Sequence, residues 1–189
     1  MAQTYTHSPR PVGGPISFAL KGDRLTVDSG RKVQEVRLGA VETVRMTYEP
    51  GRLGQKAFRT KVTLKDGKSF AFTSLNWKSL VEAQELRDEY AAFSQALCAA
   101  IARANPEARF VAGKPQWLWI GTAVLAAASL LAMAVLIWRA FQMGSTGVAL
   151  LGALFALVGI WQIEPMVRLN KPRPFKPEAP PAELMPKAP

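Results

Sequence analysis

The chain reads as an α+β protein in two parts: a small antiparallel sheet or barrel closed by one amphipathic helix, followed by a two-helix transmembrane hairpin. Three observations carry this reading. Short alternations of apolar and polar residues recur between residues 16 and 74. The apolar period then lengthens to that of a helix up to residue 104, and two later runs, 117–138 and 147–163, contain no charge at all.

Each strand shows the period of two that a half-buried sheet requires. Ile16, Phe18 and Leu20 alternate with Ser17 and Ala19, and Lys21-Gly22-Asp23 turns the chain into Leu25 and Val27. Asp28-Ser29-Gly30 opens a strand from Val33 to Leu38; Val44, Met46 and Tyr48 form the next, ending at Pro50-Gly51. Phe58, Thr60, Val62 and Leu64 alternate with Arg59, Lys61, Thr63 and Lys65, and Asp66-Gly67 is a strong hairpin signal before Phe70 and Phe72. Six antiparallel strands with one wet face follow.

Leu86, Tyr90, Phe93, Leu97 and Ile101 then recur at spacings of three and four, one apolar stripe on a helix. Ser79-Leu80-Val81-Glu82 has the form of a capping box and sets the expected helix start at Ser79. Asn105-Pro106 stops it, since proline has no N–H and disfavours helix in the residue before it.

The expected organisation is a flexible leader (1–15), a soluble domain (16–104), a basic linker (105–116), a first transmembrane helix (117–138), a short turn (139–144), a second transmembrane helix (145–163) and a proline-rich, disordered tail (164–189). The tail has eight prolines in its last 25 residues, a composition that favours extended PPII structure. A helix rising 1.5 Å per residue crosses a ~30 Å hydrocarbon core in ~20 residues. Four of the five tryptophans, Trp117, Trp119, Trp138 and Trp161, lie at the ends of the two apolar runs, where an indole anchors at the membrane–water boundary. Small residues at four-residue spacing (Ala123/Ala127, Ala128/Ala132, Ala149/Ala153, Gly152/Ala156) let helix backbones approach in lipid. No ionisable group lies within either run, so the hairpin reads as an anchor rather than a transport path.

The net charge of +10 is unevenly placed. Arg103, Arg109 and Lys114 precede the first run, Arg168, Lys171, Arg173 and Lys176 follow the second, and only Arg139 lies between them. The positive-inside rule then puts both termini in the cytoplasm of a bacterium, the chain crossing the plasma (inner) membrane twice.

Catalysis finds no support. One cysteine, Cys98, excludes an intrachain disulfide and a cysteine metal site, and the one histidine, His7, lies in the polar leader. Cys98 sits among Leu97, Ala99 and Ile101 as a small apolar helix residue. Gly13-Gly14 and Gly51-x-x-Gly54 are too short for a phosphate loop. No enzyme activity, metal or cofactor is expected.

The order of elements over residues 16–104 resembles the pleckstrin-homology-like (PH-like) domains of bacterial membrane proteins. The resemblance rests on the run of short strands, the Lys65-Asp66-Gly67 hairpin, the Phe70-x-Phe72 strand and the closing helix carrying Trp77. It implies seven strands, one more than the pattern yields. It also makes Lys21, Arg24, Arg31 and Lys32, around the first turns, candidates for contact with an anionic lipid. Independently of any family, Arg52, Lys56, Arg59, Lys61, Lys65 and Lys68 face only Asp66 over residues 52–68. Held beside an anionic leaflet, such cations attract headgroups at ~1 kcal/mol each.

The expected function is therefore a membrane-anchored cytoplasmic PH-like interaction module that binds a protein partner or anionic lipid at the bilayer. A non-catalytic structural subunit of a larger membrane complex is the alternative, and a membrane-tethered nucleic-acid binder the third. The basic strand positions lack the aromatic residues that stack single-stranded bases, which weighs against that last reading.

Overall fold

A computed structural model describes residues 3–50 and 55–186. The chain forms two compact units: residues up to Gly113 together with those from Arg173 onward, and Lys114–Pro172.

The first unit begins with four antiparallel strands paired in order: β1 (Gln3–His7), β2 (Ile16–Lys21), β3 (Arg24–Asp28) and β4 (Val33–Arg37). A 3-10 turn, Leu38–Ala40, leads to β5 (Val41–Pro50), β6 (Lys56–Leu64) and β7 (Ser69–Thr73), three more antiparallel strands. β8 (Leu75–Trp77) and β9 (Ala83–Glu85) make a separate hairpin before helix α1 (Arg87–Ala104). After α1 the chain adds β10 (Arg109–Ala112) parallel to β5, and β11 (Arg173–Pro174) pairs antiparallel with β10. The larger sheet thus runs β11-β10-β5-β6-β7. The six expected strands are all present as β2 to β7. At the Asp66-Gly67 hairpin, Gly67 takes a φ of +81°, and the Asp66 carboxylate accepts the Lys68 N–H at 3.0 Å.

Four expectations are corrected. The leader is a strand over Gln3–His7, with Tyr5 and His7 buried inward; β1 contributes two rings to the core, which a reading of the segment as polar overlooked. The helix starts at Arg87, not Ser79, and Trp77 lies in β8. Ser79 Oγ does accept the Glu82 N–H at 3.1 Å, the capping-box bond, but here it closes the β8–β9 turn. The linker 105–116 contains β10. The tail is ordered through residue 186: β11 extends the sheet, a 3-10 turn forms at Ala182–Leu184, and Leu184 and Met185 are buried. Prolines suit an edge strand because they need no partner for an N–H.

The core of this unit is aromatic. Phe72 stands 5.2 Å from Phe93 and 5.5–5.6 Å from Phe18, Tyr5 and Tyr90, ring centre to ring centre. Phe72, Phe93, Tyr5 and Phe18 are all essentially inaccessible. The α1 stripe supplies Tyr90, Phe93, Leu97 and Ile101, and the Tyr90 hydroxyl shares a 2.7 Å hydrogen bond with Thr60 Oγ1. Asn105 caps the helix as expected, its amide donating to Val41 O at 2.8 Å.

The second unit is a hairpin of α2 (Gln116–Gln142) and α3 (Thr146–Arg168), turned at Gly144 with a φ of +71°. Both helices are long and apolar enough to cross a membrane. Among the less exposed positions, Trp119, Ala123, Ala126, Leu130, Met133, Ile137 and Ala140 of α2 and Ala149, Gly152, Ala156, Gly159, Ile163 and Met166 of α3 recur at alternating spacings of three and four, with Thr122, Ala153, Pro165 and Val167 beside them. That is the heptad seam of two helices wound around each other. Small residues on α3 meet larger ones on α2: a Cβ on Gly152 would stand 2.9 Å from Ile137 Cγ1. Of the small pairs expected, Ala123, Ala149, Gly152, Ala153 and Ala156 lie in or beside the seam, whereas Ala127, Ala128 and Ala132 face outward.

Candidate functional site

Strand register sorts the loops of the first unit onto two ends. β5 starts at one end and β10 runs parallel to it, so the chain leaves towards α2 at the other. At this exit end lie the β1–β2 loop, the β3–β4 turn, the start of β6 and the β8–β9 turn. The four-stranded sheet is joined to the β8–β9 hairpin there: Ser8 N donates to Asn76 Oδ1 at 2.8 Å, and Trp77 N to Ser8 O at 3.0 Å. At the far end lie the β2–β3 turn and the β6–β7 hairpin.

This divides the expected contact residues. Lys21 and Arg24 are at the far end and Arg31 and Lys32 at the exit end, separated by the length of β3, so the four do not form one site. Lys65 and Lys68 are also at the far end, Lys68 paired with Asp66 at 2.8 Å, while Arg24 holds Glu35 at 2.9 Å. Arg59 and Lys61 point outward from the middle of β6, and Lys56 begins that strand at the exit end. Arg52, with the Gly51-x-x-Gly54 segment, lies outside the described residues.

Two of these cations, drawn from different stretches of sequence, do converge. Arg31 and Arg59 line a cleft of about 750 Å³ whose other walls are the Pro9–Gly14 loop, Ile16 and Ser29, and Glu49, Ala71 and Thr73 on the outward face of the larger sheet. The same loop brings a third guanidinium, Arg10. The turn that carries Arg31 is held by its own side chains: Asp28 Oδ1 accepts the Gly30 N–H at 2.8 Å, and Ser29 Oγ donates to Lys32 O at 3.1 Å. Arg59 donates to Glu49 at 3.2 Å, an exposed pair worth ~0.2–1 kcal/mol. Arg10 and Arg31 have no carboxylate partner among the described residues. Three planar guanidinium groups against one carboxylate suit an anionic group with several oxygens, which each can grip with two hydrogen bonds.

Arg10 was hidden from sequence reasoning in the supposed leader. Arg45 was missed as well: half-buried on β5, it donates from Nη1 to Gly113 O at 2.9 Å, and burial lowers its pKa. It ties β5 to the residue at which the chain leaves the sheet.

Neither single nucleophilic or basic group lies open. His7 is buried between Tyr5 and Phe18, its ring stacked 5.5 and 5.8 Å from theirs. Neither of its nitrogens has a partner among the described residues, and burial lowers its pKa to about 4. Cys98 is buried in α1, which pushes its thiol up to about 12. Among the described residues no three His, Cys, Asp or Glu side chains are grouped to hold a metal ion.

In the hairpin unit, Trp117 and Trp138 project outward near the two ends of α2, and Trp119 reaches across, its indole N–H donating to Val167 O at 2.8 Å. That bond and the Gly152–Ile137 contact set the register of the helices. Trp161, expected at the membrane–water boundary with the others, comes level with the middle of α2, about ten residues from both Trp117 and Trp138. The apolar runs are therefore staggered. Glu164, paired with Arg168, is level with the second turn of α2, so the C-terminal end of α3 turns polar beside a stretch of α2 that is still apolar. Set against protein-family models, curated proteins and solved structures, the chain finds no match.

Proposed function

We propose that this protein is a membrane-anchored interaction module of PH-like architecture. Its helices cross the inner membrane of a bacterium, and both termini are cytoplasmic. One observation carries the reading: the hairpin is inserted between β10 and β11, two strands that pair with each other. The chain must leave and re-enter one sheet, so the two helices begin and end on one side of the bilayer. The cations flanking the hairpin favour the cytoplasm for that side. The four-stranded sheet β1–β4 and the three antiparallel strands β5–β7, with α1 following after the β8–β9 hairpin, support the PH-like assignment; β1 is a strand that the sequence pattern lacked.

The work of the module is contact rather than chemistry. The cleft of Arg10, Arg31 and Arg59 is where an acidic segment of a protein partner, or an anionic headgroup, is held at the bilayer. Topology reporters fused at Gly144 and after Pro189 test the anchor. The Gly144 fusion is expected outside the cytoplasm and the C-terminal fusion inside. Both on one side would sink the reading.

A further inference from the structure

The exposed aliphatic residues of the first unit are not scattered. Among its described residues only Val12, Val33, Leu80 and Val81 are strongly exposed large aliphatics, at 76%, 64%, 65% and 86%. Strand register places all four at the exit end: Val12 in the β1–β2 loop, Val33 where β4 begins, and Leu80 and Val81 at the tip of the β8–β9 turn. The far end has no counterpart.

The β8–β9 tip is also braced by hydrogen bonds. Lys78 N donates to Glu82 O at 3.0 Å, Ser79 Oγ accepts the Glu82 N–H, and Gln55 Nε2 holds Ala83 O at 3.3 Å. A braced turn that presents two aliphatic side chains to water has nothing to gain from water. Cations surround the four residues: Arg31 and Lys32 beside Val33, Lys78 beside Leu80, and Lys56 at the start of β6. Asp28, Glu49 and Glu82 are the acidic neighbours; Asp28 is occupied in capping its own turn and Glu49 is paired with Arg59. Glu85 is paired with Arg87, and Asp88 and Glu89 open α1, set back from the tip by the length of β9. Only residues 113–115 separate β10 from α2, at most about 10 Å of extended chain.

We propose that the exit end is a docking face for the surface of the same bilayer. In this arrangement Leu80 and Val81, with Val12 and Val33, enter the interface of an anionic leaflet while the surrounding cations meet its headgroups. Apolar side chains ringed by lysine and arginine are the pattern that binds such an interface. This rests on the anchor reading above and goes beyond it, because a tethered domain need not touch the membrane with any particular face.

The test uses the full chain in vesicles of phosphatidylcholine, with or without about one-third phosphatidylglycerol. A polarity-sensitive fluorophore is placed on V81C, with L136C (lipid-facing on α2) and K65C (far end) as references; buried Cys98 does not compete for the label. Lipid-borne spin labels at interface depth are expected to quench V81C several-fold more than K65C. That difference should shrink without anionic lipid, and again near 1 M salt, where the Debye length is about 3 Å. K78A should lower the docked-to-free ratio about fivefold, the equivalent of ~1 kcal/mol for one cation at an anionic surface. If L136C is quenched and V81C behaves like K65C, the docking face is wrong, the anchor stands and the exposed aliphatics fall to a protein partner. If L136C is itself unquenched, the anchor fails and the docking face with it.

Discussion

The two units hide their apolar side chains in opposite ways. The first gathers large rings into one centre and leaves four aliphatics strongly exposed among its described residues. The second turns most of its leucines, valines and isoleucines outward and places alanine and glycine at about half of its seam positions. This is the division expected if the first unit meets water and the second hydrocarbon. In water, burying a ring is itself the driving force. Between helices in lipid that force is absent, and close backbone packing takes its place.

The largest effect that would sharpen this contrast is the loss of a core ring. Phe72→Ala removes a side chain in contact distance of four other rings and should cost ~3–5 kcal/mol. Hydrogen exchange resolved along the chain should show the loss confined to the first unit; equal loss in α2 and α3 would mean that the units do not fold independently.

Acid should separate the units next. His7 is buried neutral, with its folded pKa lowered to about 4 from an ordinary value near 6.5. The unfolded chain therefore takes up this proton first. The His7 contribution is level above pH ~6.5, declines as the pH falls towards 4, and is fully lost below it, at most ~3 kcal/mol in all. Denaturant titrations from pH 7 to 4 should show that slope in the first unit. His7→Phe should remove it while holding or raising stability at pH 7, since it replaces unpaired nitrogens by apolar atoms of similar shape. An unchanged slope in the variant would assign the acid sensitivity elsewhere.

The smallest effect belongs to the seam. Gly152→Leu forces atoms into a space where Ile137 already stands and should destabilise the hairpin by ~1–3 kcal/mol. Spin labels at Leu131 and Leu157, outward-facing and nearly level, should report a wider or broader separation. A seam indifferent to leucine would remove the basis for the contrast.

What could be read from the residues alone follows the range of the interactions. β2 to β7 were legible because each keeps one wet face, so the alternation is written along the strand itself. The α1 stripe was legible for the same reason. β1 was not: in Gln-Thr-Tyr-Thr-His the buried positions are Tyr5 and His7, which look polar until their partners are known. The helix start went wrong because Ser79 makes the same bond to the N–H three residues on whether it opens a helix or closes a turn. β10, β11 and the buried Leu184 depend on partners far along the chain, as does the cleft. Arg31 and Arg59 could each be singled out as cations, but only the fold of the Pro9–Gly14 loop sets them around a common space with Arg10.

The placement of the hairpin between β10 and β11 also sets an order in time. A ribosome makes the first ten strands and α1, then both long helices, and only afterwards the residues that lay the last strand against β10. Until then the edge of β10 is bare, and Phe110 lacks Phe175, the ring that later packs against it at 5.7 Å. The sheet can be finished only once α2 and α3 have been synthesised. A chain stopped before the end of α3 would carry an incomplete domain, so the finished sheet records that the whole hairpin has been made.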